Sequence, residues 1–179
     1  ESERASSTNR YALVLLANIL GGTMSSRLFT ELREKLGLVY SISAEHIGQY
    51  DTGIFAIQAA SSHQATPQTV KEIIKVLHNF CKNEPSKEEM EIAKENLIGG
   101  LILSLESTST RMGRIARNEL YFAKQFDVKE AISEIERISL SKITELARKT
   151  FLLNKMNLVI LGRKNALKKA DFSLLEEKW

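Results

Sequence analysis

Arg33 and Tyr40 are the two residues of this chain whose types and spacing could do chemistry together. They lie in the stretch SSRLFTELREKLGLVYSI, residues 25–42, with Gly37 between them. The stretch reads as one helix, one tight turn and one strand. A guanidinium at a helix end and a phenol at a strand start therefore stand on either side of a short connection. Such a pair could converge on one point and offer a fixed cation and an O–H donor to a carbonyl or an oxyanion. The same residues also have a plain structural reading. Arg33 would then compensate the negative end of its helix, and Tyr40 would be an ordinary strand aromatic. The residues alone leave both readings open.

Other candidate groups fall short in type or spacing. The histidines are His46, His63 and His78, and neither H-E-x-x-H nor the inverted H-x-x-E-H occurs. The segment ISAEH, residues 42–46, ends in E-H but has Ile42 where a first ligand should stand. It also reads as strand, which sends Glu45 and His46 to opposite faces. Catalytic zinc needs three protein ligands in one place, so no metal site is expected in this chain. Cys81 follows His78 by three positions, one helical turn, and the two could touch. Nothing beside them resembles an oxyanion site or an orienting acid. No G-x-S-x-G elbow exists, and Gly21-Gly22 lacks the rest of a phosphate-binding motif. That pair reads most simply as the end of a helix.

The elements that must position Arg33 and Tyr40 follow from local signals. Ser7 or Thr8 can cap a helix through YALVLLANIL that ends at Gly21-Gly22. Ser25 or Ser26 opens a second helix with Leu28, Phe29, Leu32 and Leu36 as its buried stripe, and Gly37 ends it. LVYSISAEHI, the turn GQYDTG and IFAIQAA then read as a β-hairpin. Pro67 starts one helix, and Ser86 with Glu89 forms a capping box for another over about 87–105. Three more helices are predicted at about 108–124, 128–137 and 140–152. A buried strand is predicted at MNLVILG, 156–162. Segregated helices and strands predict an α+β fold, with a mainly antiparallel sheet packed on one face by helices. The expected organisation is one domain over 1–179, with 163–179 as a loosely packed charged tail. Three strands are few for this much helix, so a further strand upstream of Glu1 is expected. An exposed sheet edge of this kind invites self-pairing into a homodimer.

Composition narrows the function classes. The chain has 179 residues, 43% apolar and 26% charged, the balance of a globular domain. The net charge is +3, but Lys and Arg alternate with Glu at helical spacing, and only 7% of residues are aromatic. No nucleic-acid partner is expected from that pattern. The longest apolar run, around 97–105, is broken by Gly99, Gly100 and Ser104, so no membrane partner is expected. One cysteine and no visible signal peptide lead to a cytoplasmic expectation, with the periplasm as the alternative.

One longer segment carries a resemblance. ILGGTMSSRLFTELREKLGLVYSISA, residues 19–44, resembles the non-catalytic half of the pitrilysin/insulinase family of zinc metallopeptidases. The usual pattern there is L-G-G-G-M-S-S-R-L-F followed by R-E-x-x-G-L-x-Y-S, and Thr23 replaces the third glycine. The resemblance continues more loosely through the hairpin, the helix at 87–105, RMGRIARNEL at 111–120 and the closing strand. It implies the C-terminal half of a fold of two similar α+β halves, one that begins with a strand ahead of YALVLLANIL. Zinc is then expected in the partner half, on H-x-x-E-H and a distant glutamate, with no cofactor in this chain. Arg33 and Tyr40 are implied to reach a peptide or unfolded-protein substrate, with Gly37 as the turn. Gly21 and Gly22 are implied, more weakly, in substrate binding. The implied function is the substrate-binding half of a zinc-dependent endopeptidase or processing protease, inactive alone. The alternative is a stand-alone regulatory or structural subunit. Such a subunit has no chemical reason to keep Arg33 and Tyr40 at this spacing.

Overall fold

Helix α1 (Arg10–Gly21) is apolar nearly all round, and a helix of that kind needs cover on several sides. Ala12, Leu13, Leu15, Leu16, Ala17, Ile19 and Leu20 are all buried in the computed structural model, which describes residues 2–162. The cover comes from a hairpin and from later helices. Strand β1 (Val39–Gly48) pairs antiparallel with β2 (Gly53–Ser61), with Ile42 opposite Ala59 and Gly48 opposite Gly53. Then follow α2 (Thr66–Lys82), α3 (Lys87–Ser104), α4 (Thr108–Phe122), α5 (Val128–Glu136) and α6 (Leu140–Thr150). β1, α3, α5 and α6 all contact α1. Leu28, Leu32, Leu77, Phe80, Met90, Ile143 and Leu146 complete the core around it. The α+β architecture is the expected one.

The helix boundaries follow their caps. The Ser86 hydroxyl accepts from the Glu89 N–H at 3.0 Å, and the Glu89 carboxylate accepts from the Ser86 N–H at 2.7 Å. Ser107 and Ser139 cap α4 and α6 in the same sense. Pro67 stands in the first turn of α2, where its missing N–H costs nothing.

Two expectations are corrected. The second helix is not regular: Phe29–Lys35 is π-helical. A π-helix has more residues per turn, so the apolar stripe drifts round the helix. Leu28 and Leu32 stay fully buried while Leu36 is rotated out to 41% exposure. The strand predicted at 156–162 joins no ladder, and the sheet of the described residues has two strands. Met156 and Leu158 face β2 residues Ile54 and Ile57 across a cleft of about 240 Å³ floored by Ile73 and Leu77. The segment's backbone pairs with no described strand, and a strand exists only where its N–H and C=O groups find a partner. Val159 and Leu161 are accordingly exposed. The chain start does reach β2, through an antiparallel bridge in which the Ser2 N–H donates to the Gly53 carbonyl at 2.7 Å. The tail expected at 163–179 lies outside the described residues. No described helix is long and apolar enough to cross a membrane.

Candidate functional site

Gly37 carries the connection between the π-helical segment and β1. Its φ of +60° lies in the left-handed region, which a side chain disfavours. Around it, the Leu36 N–H bonds the Glu31 carbonyl at 3.1 Å and the Leu38 N–H bonds the Leu32 carbonyl at 2.8 Å. The chain therefore reverses at once and enters β1.

β1 begins with an irregularity. Val39 faces Ser61 and Ser41 faces Ala60, so two steps of β1 oppose one step of β2. Tyr40 is the extra residue of a β-bulge. Burial follows it: Val39 is buried, Tyr40 and Ser41 are exposed, and Ile42 is buried again. In an unbroken strand, positions 39 and 42 would face opposite sides. The bulge puts both on the core and leaves Tyr40 72% exposed.

Arg33 reaches across the Gly37 turn to this bulge. Its Nη1 donates to the Val39 carbonyl at 2.9 Å and also to the Tyr40 carbonyl. The guanidinium is therefore held at the strand start rather than folded back over its own helix end. No carboxylate among the described residues pairs with Arg33, whereas Glu31, two positions before it, pairs with Lys35 at 2.9 Å. Sequence reasoning placed both residues correctly on either side of the turn but did not identify the bulge. Its signal was present in V-Y-S-I, where the apolar spacing of three breaks the strand period of two.

The preceding turn is fixed differently. Arg27 Nε and Nη2 donate to the two oxygens of Glu89 at 2.6 and 2.9 Å, and its guanidinium lies 4.6 Å above the Phe80 ring. The hydrogen bond from Arg27 holds the Glu89 carboxyl below its usual range, against an opposing push from burial and with further help from Ser86. Sequence reasoning missed this pair, since the partners are 62 positions apart. Gly21 is buried, and a Cβ there would sit 2.5 Å from the Ala44 nitrogen on β1. Gly22 is exposed and ends α1 in a right-handed conformation, its N–H bonding the Asn18 carbonyl at 2.9 Å. Close packing against β1 is the physical reason for the first glycine of the pair.

The histidines and the cysteine stand apart from this turn. Glu45 and His46 do face opposite sides of β1. Glu45 accepts from the Gln58 side chain at 2.6 Å, while His46 Nε2 lies 3.0 Å from the Glu3 carbonyl. Burial lowers the His46 pKa, partly offset by Glu3. Burial also raises the Cys81 pKa, with Arg148 pulling the other way, and a protonated thiol is a weak nucleophile. Among the described residues no three His, Cys, Asp or Glu side chains lie close enough to hold a metal ion. The described residues of this chain therefore do not fit a zinc ion.

Comparison with known proteins places this geometry in context. Residues 2–97 match a family model described as the peptidase M16 inactive domain. A zinc protease of Bacillus subtilis (strain 168), YmxG, is 37% identical over 141 residues, which cover 79% of this chain and 34% of that protein. Among solved structures, a peptidase M16 inactive domain from Pseudomonas fluorescens superposes with a TM-score of 0.75 at 22% identity, over 84% of this chain and 36% of that one. A chain of complex III2 from Candida albicans superposes with a TM-score of 0.74 at 21% identity, over 83% of this chain and 37% of that one. At those identities the two structures speak for the fold alone. The chain spans about a third of the length of the curated relatives it matches.

Proposed function

Because the chain belongs to the peptidase M16 inactive domain family, we propose that it is the substrate-binding half of a zinc-dependent endopeptidase or processing protease. The observation that carries this reading is the Gly37 turn. It holds the Arg33 guanidinium, which has no carboxylate partner among the described residues, against the main chain of a strand start whose Tyr40 side chain is exposed. Zinc on an H-x-x-E-H half outside this chain would supply an activated water and a polarised carbonyl. Tyr40 donates its O–H to the substrate carbonyl or to the tetrahedral oxygen that follows, and Arg33 completes the clamp. The peptide is extended, held as an added edge strand on the partner half.

Tyr40→Phe in the full-length enzyme tests the reading. Loss of one oxyanion donor should lower kcat about 100- to 1,000-fold while zinc content stays the same. A fully active variant would overturn the clamp. A non-catalytic subunit is the second reading, and the family model's description as an inactive domain supports it. In such a subunit Tyr40→Phe would leave the peptide turnover of the whole complex unchanged.

A further inference from the structure

We propose that the outward face of α4 is the surface on which another part of the same, longer polypeptide packs, and that this cover is an apolar patch rimmed by carboxylates; the proposal rests on the reading of the chain as one half of a longer protein. No residue of α4 is buried. Its exposed residues Met112, Ile115, Ala116 and Leu120 follow the i, i+3, i+4, i+8 spacing of one helical stripe. Met112 is 68%, Ile115 59% and Leu120 71% exposed. The half-covered side of the helix carries Arg114 and Asn118 instead. Arg114 Nη1 is buried there without a hydrogen-bond partner, while Nη2 reaches the Phe126 carbonyl at 3.5 Å. A helix free to roll would turn the other way, since water favours a guanidinium over a methionine. Aromatic contacts prevent that. Tyr121 meets Tyr50 of the hairpin turn with ring centroids 6.5 Å apart. Phe122 meets Phe126 at 5.1 Å and lies 5.3 Å from the Arg10 guanidinium. These contacts fix the end of α4 with its apolar stripe outward.

The size of the stripe selects the kind of partner. One stripe with three large apolar side chains falls well short of the roughly 1,000 Å² that a stable interface between separate molecules buries. A partner in the same polypeptide needs less, because the tether supplies a high effective concentration. The match to the Bacillus subtilis relative covers 34% of that protein, which leaves ample chain for such a partner. Charge points the same way. Arg111 and Arg117 are exposed beside the stripe, and no carboxylate among the described residues pairs with either. A second copy of this chain would bring these guanidiniums together, with only Glu119 of each copy to offset them. A cover that meets them with carboxylates gains where self-pairing loses.

Oxidation of Met112 by hydrogen peroxide, followed by mass spectrometry in the full-length protein, tests the cover. A shielded thioether should react about tenfold or more slowly than the same residue in the denatured protein. A rate within about twofold of the denatured one would overturn the proposal. Protection should persist through about a hundredfold dilution, because a tethered partner does not leave. Protection lost on dilution would place a second copy on α4 and overturn the proposal. Arg111→Glu combined with Arg117→Glu should speed Met112 oxidation about threefold or more, and an unchanged rate would overturn the acidic rim. None of these readouts depends on turnover. A full-length protein that shields Met112 but cuts no peptide would end the peptidase reading and leave this surface standing. An active peptidase with an unshielded Met112 would do the reverse.

Discussion

Arg27 precedes the short π-helical segment and Arg33 lies in its last turn, six positions on, and the molecule uses them in opposite ways. Arg27 is tied to a carboxylate through two hydrogen bonds and stacked on Phe80, joining the start of the segment to the first turn of α3. Among the described residues Arg33 bonds the carbonyl oxygens of Val39 and Tyr40, at a strand start on the surface. A guanidinium neutralised by a carboxylate is a structural tie. One held by neutral dipoles keeps its charge available beyond the protein. The two arginines therefore divide into one that fastens the fold and one that, in the proposed function, faces a substrate.

The largest effect that would break this division is on activity. Tyr40→Phe should lose about 100- to 1,000-fold in kcat, whereas Arg27→Met should keep kcat within about threefold and lose stability instead. Equal losses in the two variants would remove the distinction between the ends. Next in size is Gly21→Leu, which forces a side chain into the β1 backbone at Ala44. Overpacking of this kind costs about 1–3 kcal/mol, readable as a lower midpoint in denaturant. Glu89→Ala removes both the Arg27 partner and half of the capping box. It should cost about 1–2 kcal/mol, the range of a lost cap together with a partly exposed ion pair.

The smallest effect sharpens the comparison by pH. Glu89 has its folded pKa depressed, first by the Arg27 hydrogen bond. Between that lowered value and the ordinary carboxylate pKa, the unfolded chain binds the extra proton. The stabilisation is therefore complete above the ordinary carboxylate range and is lost as pH falls through the lowered value. Acid titration of Glu89→Gln should show a shallower loss of stability in that window. A slope identical to the parent would mean that the Arg27 contact carries no weight in solution.

Helix starts after the first were legible residue by residue, whereas α1 begins behind Asn9, with no side-chain cap, and not at Ser7 or Thr8. Pro67, the Ser86–Glu89 box, Ser107 and Ser139 each act on a backbone group no more than three residues away, so a reader of the sequence sees cause and effect together. Burial was less legible. The apolar residues of α1 are almost all inside, yet α4 has no buried residue, and Met112, Ile115 and Leu120 lie exposed. Both helices could be read from pattern, but only the folded chain shows which of them has cover. Residues 156–162 make the same point. Their β-forming composition is real, but they pair with no described strand.

The sequence by itself determined the helices other than the π-helical segment, the Gly37 turn, the hairpin and the placement of Arg33 and Tyr40 on either side of that turn. All of these rest on interactions between near neighbours or on one residue's φ preference. Tertiary structure decided which way Tyr40 points. That depends on the register of Tyr40 against residues 60 and 61 and on a π-helical segment that brings Arg33 to the strand start. Each of these joins groups far apart in the chain or sums small local preferences over a whole element. Their outcome exists only once the core around α1 has closed.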